Sequence, residues 1–321
     1  MDSDRRAPLW SRNGFTGGRL ARAAQRRKDA DLLTRALAQP ASRVVPVWQG
    51  KLLVTARGGL EAVLLAPADA EPLTGDAHSL TFLGERDGAS FFALGTDAPA
   101  AGEALRARGT WGELRQLAAA MDHDDASLLA YARAMALWHQ GNRHCGRCGQ
   151  PTEIEEAGHL RRCVATECRH PVFPRTDPAI ITLVASGERC VLGRQPVWPQ
   201  GFYSTLAGFV EPGESLEQAL AREVMEEAGI AVREARYHSS QPWPFPGSLM
   251  VGFTASADEG PLTVDRDELE DARWFSREDI AAGLRDGALK LPPPVSIAWR
   301  LIEDWYDAGG GEPLAALVVK P

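Results

Sequence analysis

The chain has 321 residues, 35 Lys and Arg against 43 Asp and Glu, and a formal net charge of −8. At roughly 150 residues per domain this length predicts about two domains, each long enough for a packed core; the acidic total argues against a broad nucleic-acid or anionic-membrane surface, though a local phosphate site stays open. No run approaches about 18 consecutive apolar residues, and the start, Met1-Asp-Ser-Asp-Arg-Arg6, has no apolar h-region, so we expect a cytoplasmic protein.

Residues 1–30, rich in Arg and Ala with Gly17-Gly18, predict a loosely attached arm. Within it Arg26-Arg27-Lys28 reads as a solvated face rather than a nucleic-acid patch. Residues 31–140 predict an α+β domain. A helical stretch at Leu32, Leu33 and Leu37 precedes strand-like runs at Val44–Val47, Leu52–Val54, Ala62–Leu65 and Ser90–Leu94, and near-3.6 spacing predicts helix over 112–139. Residues 141–172 hold two cysteine pairs, and 173–310 predict a third unit. Its strands fall near Ala179–Val184, Ala207–Val210, Leu249–Thr254 and Ala272–Phe275, with helices at about 215–228 and 295–306. Strands and helices interleave in both halves, which predicts an α+β class.

Four of the five cysteines form the pairs Cys145/Cys148 and Cys163/Cys168. Two such pairs can complete a tetrahedron of thiolates around Zn²⁺ with no open coordination position, so the expected site is structural. The alternative is four buried or paired cysteines without a metal. His144, His159 and His170 lie nearby and are expected at the surface, and the lone Cys190 is expected to be a small buried hydrophobe.

The stretch Gly208–Ile230 contains one strong helix. Ser215 is a cap candidate and Gly229 a left-handed stop. Leu216, Leu220 and Val224 form an inward stripe, and Glu223, Glu226 and Glu227 share one face at i, i+3 and i+4. Clustered carboxylates repel, by roughly 3 kcal/mol for a pair about 5 Å apart at an effective dielectric of 20. A hard divalent cation that also bridges to phosphates relieves this.

At every fixed position this stretch resembles the Nudix signature: Gly208, Glu214, Arg222, Glu223, Val224, Glu226, Glu227, Gly229 and Ile230. The resemblance implies an α/β/α sandwich that hydrolyses nucleoside diphosphates linked to another moiety. It implies that Arg222 orients a carboxylate, and that Glu223, Glu226 and Glu227 with the backbone carbonyl of Ala207 hold Mg²⁺ or Mn²⁺.

A second segment is Gln241-Pro242-Trp243-Pro244-Phe245-Pro246-Gly247-Ser248. Three prolines in five residues predict a stiff, extended rail that presents Trp243 and Phe245 to an aromatic base. This segment, the cysteine ribbon upstream and the α+β domain before it resemble the NADH pyrophosphatase subfamily over about residues 31–306. That resemblance implies hydrolysis of NAD(H) to AMP and nicotinamide mononucleotide, removal of NAD caps from RNA 5′ ends, and a homodimer. It adds Glu268 to the metal cluster, with Glu227, then Glu268, then Glu226 as catalytic candidates. It places Phe209, Phe173, Ala298 and Arg115 at the substrate with the segment Gln241–Ser248. The competing readings are another Nudix activity such as ADP-ribose diphosphatase, and a zinc-ribbon RNA-binding or regulatory protein.

Overall fold

The computed structural model describes residues 12–56 and 58–318. The first eleven residues of the expected arm lie outside it. The chain divides into two compact units. The N-terminal unit is Phe15–Thr176 with Pro242–Gly247; the C-terminal unit is Asp177–Gln241 and the chain from Ser248 on, with the described residues up to Gly14.

In the N-terminal unit, strands β1 (Arg43–Trp48), β2 (Lys51–Ala56), β3 (Leu60–Ala62), β4 (Ala77–Arg86), β5 (Ala89–Thr96) and β6 (Thr110–Gly112) form one sheet. Its order is β3-β2-β1-β5-β4, with β6 on β2. β1 and β5 run parallel and the other pairs antiparallel. Val44, Leu53, Phe82, Phe92 and Leu94 supply its core.

Three features depart from the sequence-based expectation. β4 was not among the expected strands; it pairs with β5 through a register shift at a bulge between Phe82 and Gly84. The third expected strand ends at Ala62, and Leu65 makes only an isolated backbone pair with Val44. The helix expected over 112–139 is broken. Helix α1 is His123–Gly141, opened by the Asp122 side chain accepting from the Asp124 N–H at 2.9 Å. An aspartate satisfies backbone donors at a helix start better than it serves a helix interior, so the break falls there.

The arm is also corrected. Phe15 is buried, and Ala21 exchanges backbone hydrogen bonds with Glu85 of β4 at 2.9 and 2.8 Å. A buried ring and a backbone bridge hold a segment whose composition reads as loose.

After α1, β7 (Thr152–Glu155), β8 (Leu160–Cys163) and β9 (Pro171–Val172) form a small antiparallel sheet carrying the cysteines. His159 is buried here, contrary to expectation, with Nε2 at 2.7 Å from the Phe82 carbonyl. His139 is fully buried too. Its Nδ1 accepts from Arg161 at 3.0 Å, and its Nε2 lies 2.9 Å from the Gly158 carbonyl.

In the C-terminal unit, β10 (Asp177–Ser186), β11 (Arg189–Arg194), β12 (Leu206–Phe209), β13 (Val232–Trp243), β14 (Ser248–Ala257) and β15 (Asp271–Ser276) form a second sheet. The order is β13-β14-β10-β11-β15, with β12 on β10 and β10 parallel to β14. Side-chain alternation along β10 builds two cores. Ile180 and Val184 pack with Leu220 and Val224 of helix α2 (Leu216–Ala228). Ile181 and Leu183 pack with Ile280 of α3 (Arg277–Asp286) and Trp299, Leu301 and Ile302 of α4 (Ile297–Ala308). Helices on both faces of one sheet make the α/β/α layering. Cys190 lies in the second core, as expected. Helix α3 was not expected, although Ser276 and Asp279 form a capping box readable in sequence.

Candidate functional site

Helix α2 is set at both ends by local chemistry. Ser215 and Gln218 form a capping box, and Gly229 stops the helix in the left-handed region at φ 69°. Between them Glu223 and Glu227 point into the unit and are buried. Gly208 of β12 explains how the first can: a Cβ there would fall 1.9 Å from the Glu223 carboxyl carbon. Any side chain at 208 would displace that carboxylate.

Arg222 organises the surrounding acids. Its Nε and one terminal nitrogen grip both oxygens of Glu214 at 2.7 and 2.9 Å. Its other nitrogen bonds Glu223 and Glu226, each at 2.9 Å, and the Phe209 carbonyl receives a further bond at 3.0 Å. Paired so, with the Glu211 amide helping, Glu214 is held down at about 2.

The third acid of the centre arrives from 41 positions beyond Glu227 in the chain. The Thr263 N–H donates to the Ala228 carbonyl at 2.9 Å, tying the loop to the helix end. Asp265 then turns the chain by accepting from the Asp267 N–H at 2.9 Å, and Leu269 anchors it in the core. This delivers Glu268, so that oxygens of Glu223, Glu227 and Glu268 lie within 4.8 Å of one another. Glu226 is exposed and turned to Arg222, outside that trio.

These residues fit a divalent cation. Glu227 Oε2 is buried with no hydrogen-bond donor among the described residues. Burial, and then the charges of Glu223 and Glu268, push its carboxyl up to about 8 against the Ala207 amide, which lowers it. Burial likewise raises Glu223, with Arg222 opposing. Three crowded acids, one with an orphan oxygen, are the environment a bound cation would stabilise.

The remaining predicted residues divide into interior and surface positions. Gln241 is fully buried. Its Nε2 donates to the carbonyls of Gly14 and Val295 at 2.9 and 2.7 Å, and its Oε1 accepts from the Ile297 N–H at 2.8 Å. Its amide therefore clips the start of α4 instead of facing a ligand. Ala298 is also buried, with its N–H on Ser296 Oγ at 3.2 Å. Phe209 is 61% exposed beside the glutamates on β12, and Phe173 is 60% exposed after β9.

The proline segment is not an extended rail. β13 ends at Trp243, residues 244–247 turn, and Ser248 opens β14 opposite Asp177. Pro244 is buried, while Pro242 and Pro246 are exposed and Gly247 is half-buried. Within the N-terminal unit, Trp243 and Phe245 meet edge-to-face at 5.0 Å. The Arg115 guanidinium lies 5.4 and 4.6 Å from their ring centroids, and Arg133 lies 4.9 Å from that of Phe245.

Phe15, not anticipated from sequence, backs both rings at 6.1 and 6.2 Å. In the C-terminal unit, Asn13 Nδ2 donates to Ser239 Oγ and the Ser240 carbonyl, each at 2.9 Å. Asn13, Gly14 and Phe15 thus contact successive parts of Ser239–Phe245. The only hint in the sequence is an Asn-Gly-Phe tripeptide in an otherwise Arg-rich stretch.

The four paired cysteines converge as well, with all sulfurs within 4.8 Å. Cys145 and Cys168 Sγ are 3.8 Å apart, and Cys148 and Cys163 Sγ 3.4 Å. Thiolates about 2.3 Å from a central Zn²⁺ span tetrahedral edges of about 3.8 Å, so the set fits zinc. The first knuckle closes through Gly149 at φ 75°, whose N–H donates to the Cys145 carbonyl at 2.8 Å. In the longer second knuckle the Ala165 carbonyl takes both the Cys168 and Arg169 amides at 3.0 Å. Against the cost of burial, the Arg147 and Cys148 amides push the Cys145 thiol down to about 7.

Family models match in succession along the chain. They are an NADH pyrophosphatase-like rudimentary NUDIX domain over 41–138, an NADH pyrophosphatase zinc ribbon domain over 142–173, and a NUDIX domain over 174–293. The chain is 40% identical over 231 residues to the NAD-capped RNA hydrolase NudC of Stutzerimonas stutzeri (strain A1501), covering 72% of this chain and 79% of that protein. It is 42% identical over 192 residues to the NAD-capped RNA hydrolase NUDT12 of Homo sapiens, covering 56% of this chain but 42% of that protein. It is 40% identical over 214 residues to the mitochondrial NAD(P)H pyrophosphatase NUDT13 of Homo sapiens, covering 62% and 60%. The chain thus spans less than half the length of the NUDT12 relatives it matches. The order of the three domains, the converging glutamates and the likeness along most of the Stutzerimonas protein lead to one conclusion: the chain belongs to the Nudix hydrolase family, in its NADH pyrophosphatase subfamily.

Proposed function

We propose that this chain hydrolyses the pyrophosphate of NAD(H) to AMP and nicotinamide mononucleotide, and removes NAD caps from RNA 5′ ends. The observation that carries this reading is the trio Glu223, Glu227 and Glu268, with one buried carboxylate oxygen lacking a donor among the described residues. These three would hold Mg²⁺ or Mn²⁺, joined by Glu226 and the backbone of Ala207. When bound, such ions neutralise phosphate charge and lower the pKa of water.

The rest is assigned to the chain's own groups. Glu227 Oε2 takes the proton of the attacking water, with Glu268 the second candidate. Arg222 keeps Glu223 and Glu226 in place. Phe209, Phe173, Trp243 and Phe245 offer ring faces to bases, and Arg115 braces the last two. Cys145, Cys148, Cys163 and Cys168 hold a structural Zn²⁺. The homodimer implied by the resemblance is checked by light scattering. Incubation of the protein with NADH and Mg²⁺ or Mn²⁺, followed by chromatography, tests the activity. AMP and reduced nicotinamide mononucleotide in equal amounts are expected. Turnover of ADP-ribose with none of NADH would replace this reading with the ADP-ribose diphosphatase alternative.

A further inference from the structure

Trp243 ends β13, Phe245 lies in the turn after it, and both rings are half-buried. A ring in a turn holds a base well only if its orientation is fixed before the base arrives, because ordering it on binding costs affinity. Besides Arg115, two residues of the N-terminal unit that have no assigned role hold this pair: Phe15 and Arg133.

Phe15 is 5% exposed, tilted against the Trp243 ring at 6.1 Å and edge-on to the Phe245 ring at 6.2 Å. Its backbone is left-handed, at φ 66°. That region is unfavourable for a bulky residue, and such strain persists only where the surroundings hold it. The default occupant is glycine, as at Gly17 with φ 70°. Position 15 carries an aromatic ring instead, packed against the two rings that follow β13's last turn of sequence.

Arg133 is half-buried on α1. Its Nε donates to the Gly50 carbonyl at 2.9 Å, and a terminal nitrogen donates to the Pro244 carbonyl. The guanidinium carbon lies 4.9 Å from the Phe245 ring centroid. The Gly50 carbonyl is itself fixed, because β1 and β2 join through a two-residue turn with Gln49 and Gly50 left-handed at φ 51° and 74°. Arg133 therefore ties the residue before Phe245 to a rigid hairpin while lying against the ring. A planar guanidinium fork does both at once, and an ammonium does not.

We propose that Phe15 and Arg133 are positioning residues for the Trp243–Phe245 pair: they preset both rings for a base of the dinucleotide. They thereby set how tightly NADH binds and not how fast its pyrophosphate breaks, and neither needs to touch the substrate. The proposal rests on the reading that these two rings contact a base of NADH.

The test compares Phe15→Leu and Arg133→Lys, each alone and in a Trp243→Ala/Phe245→Ala background. NADH affinity is read from the fluorescence of NADH in EDTA, where no turnover occurs. KM and kcat are read with Mg²⁺, and thermal melts accompany both. Each substitution alone should weaken NADH binding and raise KM by about 2- to 30-fold, the range such ring contacts contribute, with kcat held. In the background without the two rings the same substitutions should change neither, because a residue that acts through the rings is coupled to them. A merely structural role would lower the melting temperature and leave KM alone. Arg133→Lys keeps the charge and most of the stem, so it decides the matter if Phe15→Leu fails to fold. Unchanged affinity and KM, a fall in kcat at constant KM, or an equal effect with and without the rings would overturn the proposal. So would a wild type that binds no NADH. Failure of the hydrolytic reading alone has a different signature: NADH binding that both substitutions weaken, in a chain that cleaves none.

Discussion

The thiolate and carboxylate clusters each bring ligand atoms within 4.8 Å, yet they are built in opposite ways. Each thiolate pair is positioned by a tight turn a few residues long, closed by its own amides. The carboxylate trio needs a capped helix, a strand glycine and a distant loop to meet, and one oxygen has no donor among the described residues. The first arrangement suits a site whose ion is part of the fold. The second holds like charges together at a cost that a cation relieves, which suits a site where ions and substrate phosphates meet. Softness separates them further: thiolates favour Zn²⁺, and carboxylates favour Mg²⁺ or Mn²⁺.

The largest expected effect would break the comparison at the ribbon. Zinc binding at such sites is worth roughly 10–16 kcal/mol apparent at neutral pH. Cys163→Ser should therefore unfold residues 141–172 and lower the melting temperature sharply. EDTA followed by dialysis should abolish turnover while about one zinc per chain survives. Elemental analysis and thermal melts check both, and a zinc-free Cys163→Ser protein that melts like wild type would remove the structural role.

Next comes the glutamate centre. Glu227→Gln should lower NADH turnover by at least about 10²-fold, the lower end of what a positioned base supplies. Its metal-free melting temperature should stay level or rise, because the cost of burying an ionisable carboxyl beside Glu223 and Glu268 is gone. A variant that turns over NADH at the wild-type rate would dismiss the trio.

Two smaller effects sharpen how each cluster is supported. Gly208→Ala inserts a Cβ against the Glu223 carboxylate. Overpacking of this kind costs about 1–3 kcal/mol, so both stability and turnover should fall; full activity in this variant would show that the helix yields freely. Trp243→Ala should lower the NADH specificity constant by about 5- to 150-fold, from about 1–3 kcal/mol of stacking per base. An unchanged constant would take Trp243 out of the substrate's reach.

The smallest effect near neutral pH concerns the histidines beside the ribbon. Burial, then the Arg161 charge, lowers His139 from 6.5 to about 3, and burial lowers His159 to about 4. Both groups are held neutral when folded, so their contribution is complete above about 6.5 and is lost as pH falls from there toward 3–4. Melting temperature should decline progressively below pH 6.5 with zinc held saturating. A profile that stays flat down to pH 5 would contradict the neutral, buried state of these rings.

Much of this molecule is legible in one dimension because its causes are local. Cysteine spacing encodes knuckles, Ser215 and Gly229 encode the ends of a helix, and i, i+3, i+4 spacing puts three glutamates on one face. What tertiary structure alone decided are the meetings of distant segments, for which no spacing rule exists. A loop tied to the end of α2 brings Glu268 to Glu223 and Glu227. Gln241 and Ala298, placed at the substrate by resemblance, are drawn inside because three backbone groups bond the Gln241 amide and α4 packs Ala298 into the core. The Arg-rich start reads as a loose arm because composition registers its charges, but not the backbone pairing of Ala21 with Glu85 or the burial of Phe15 against Trp243 and Phe245.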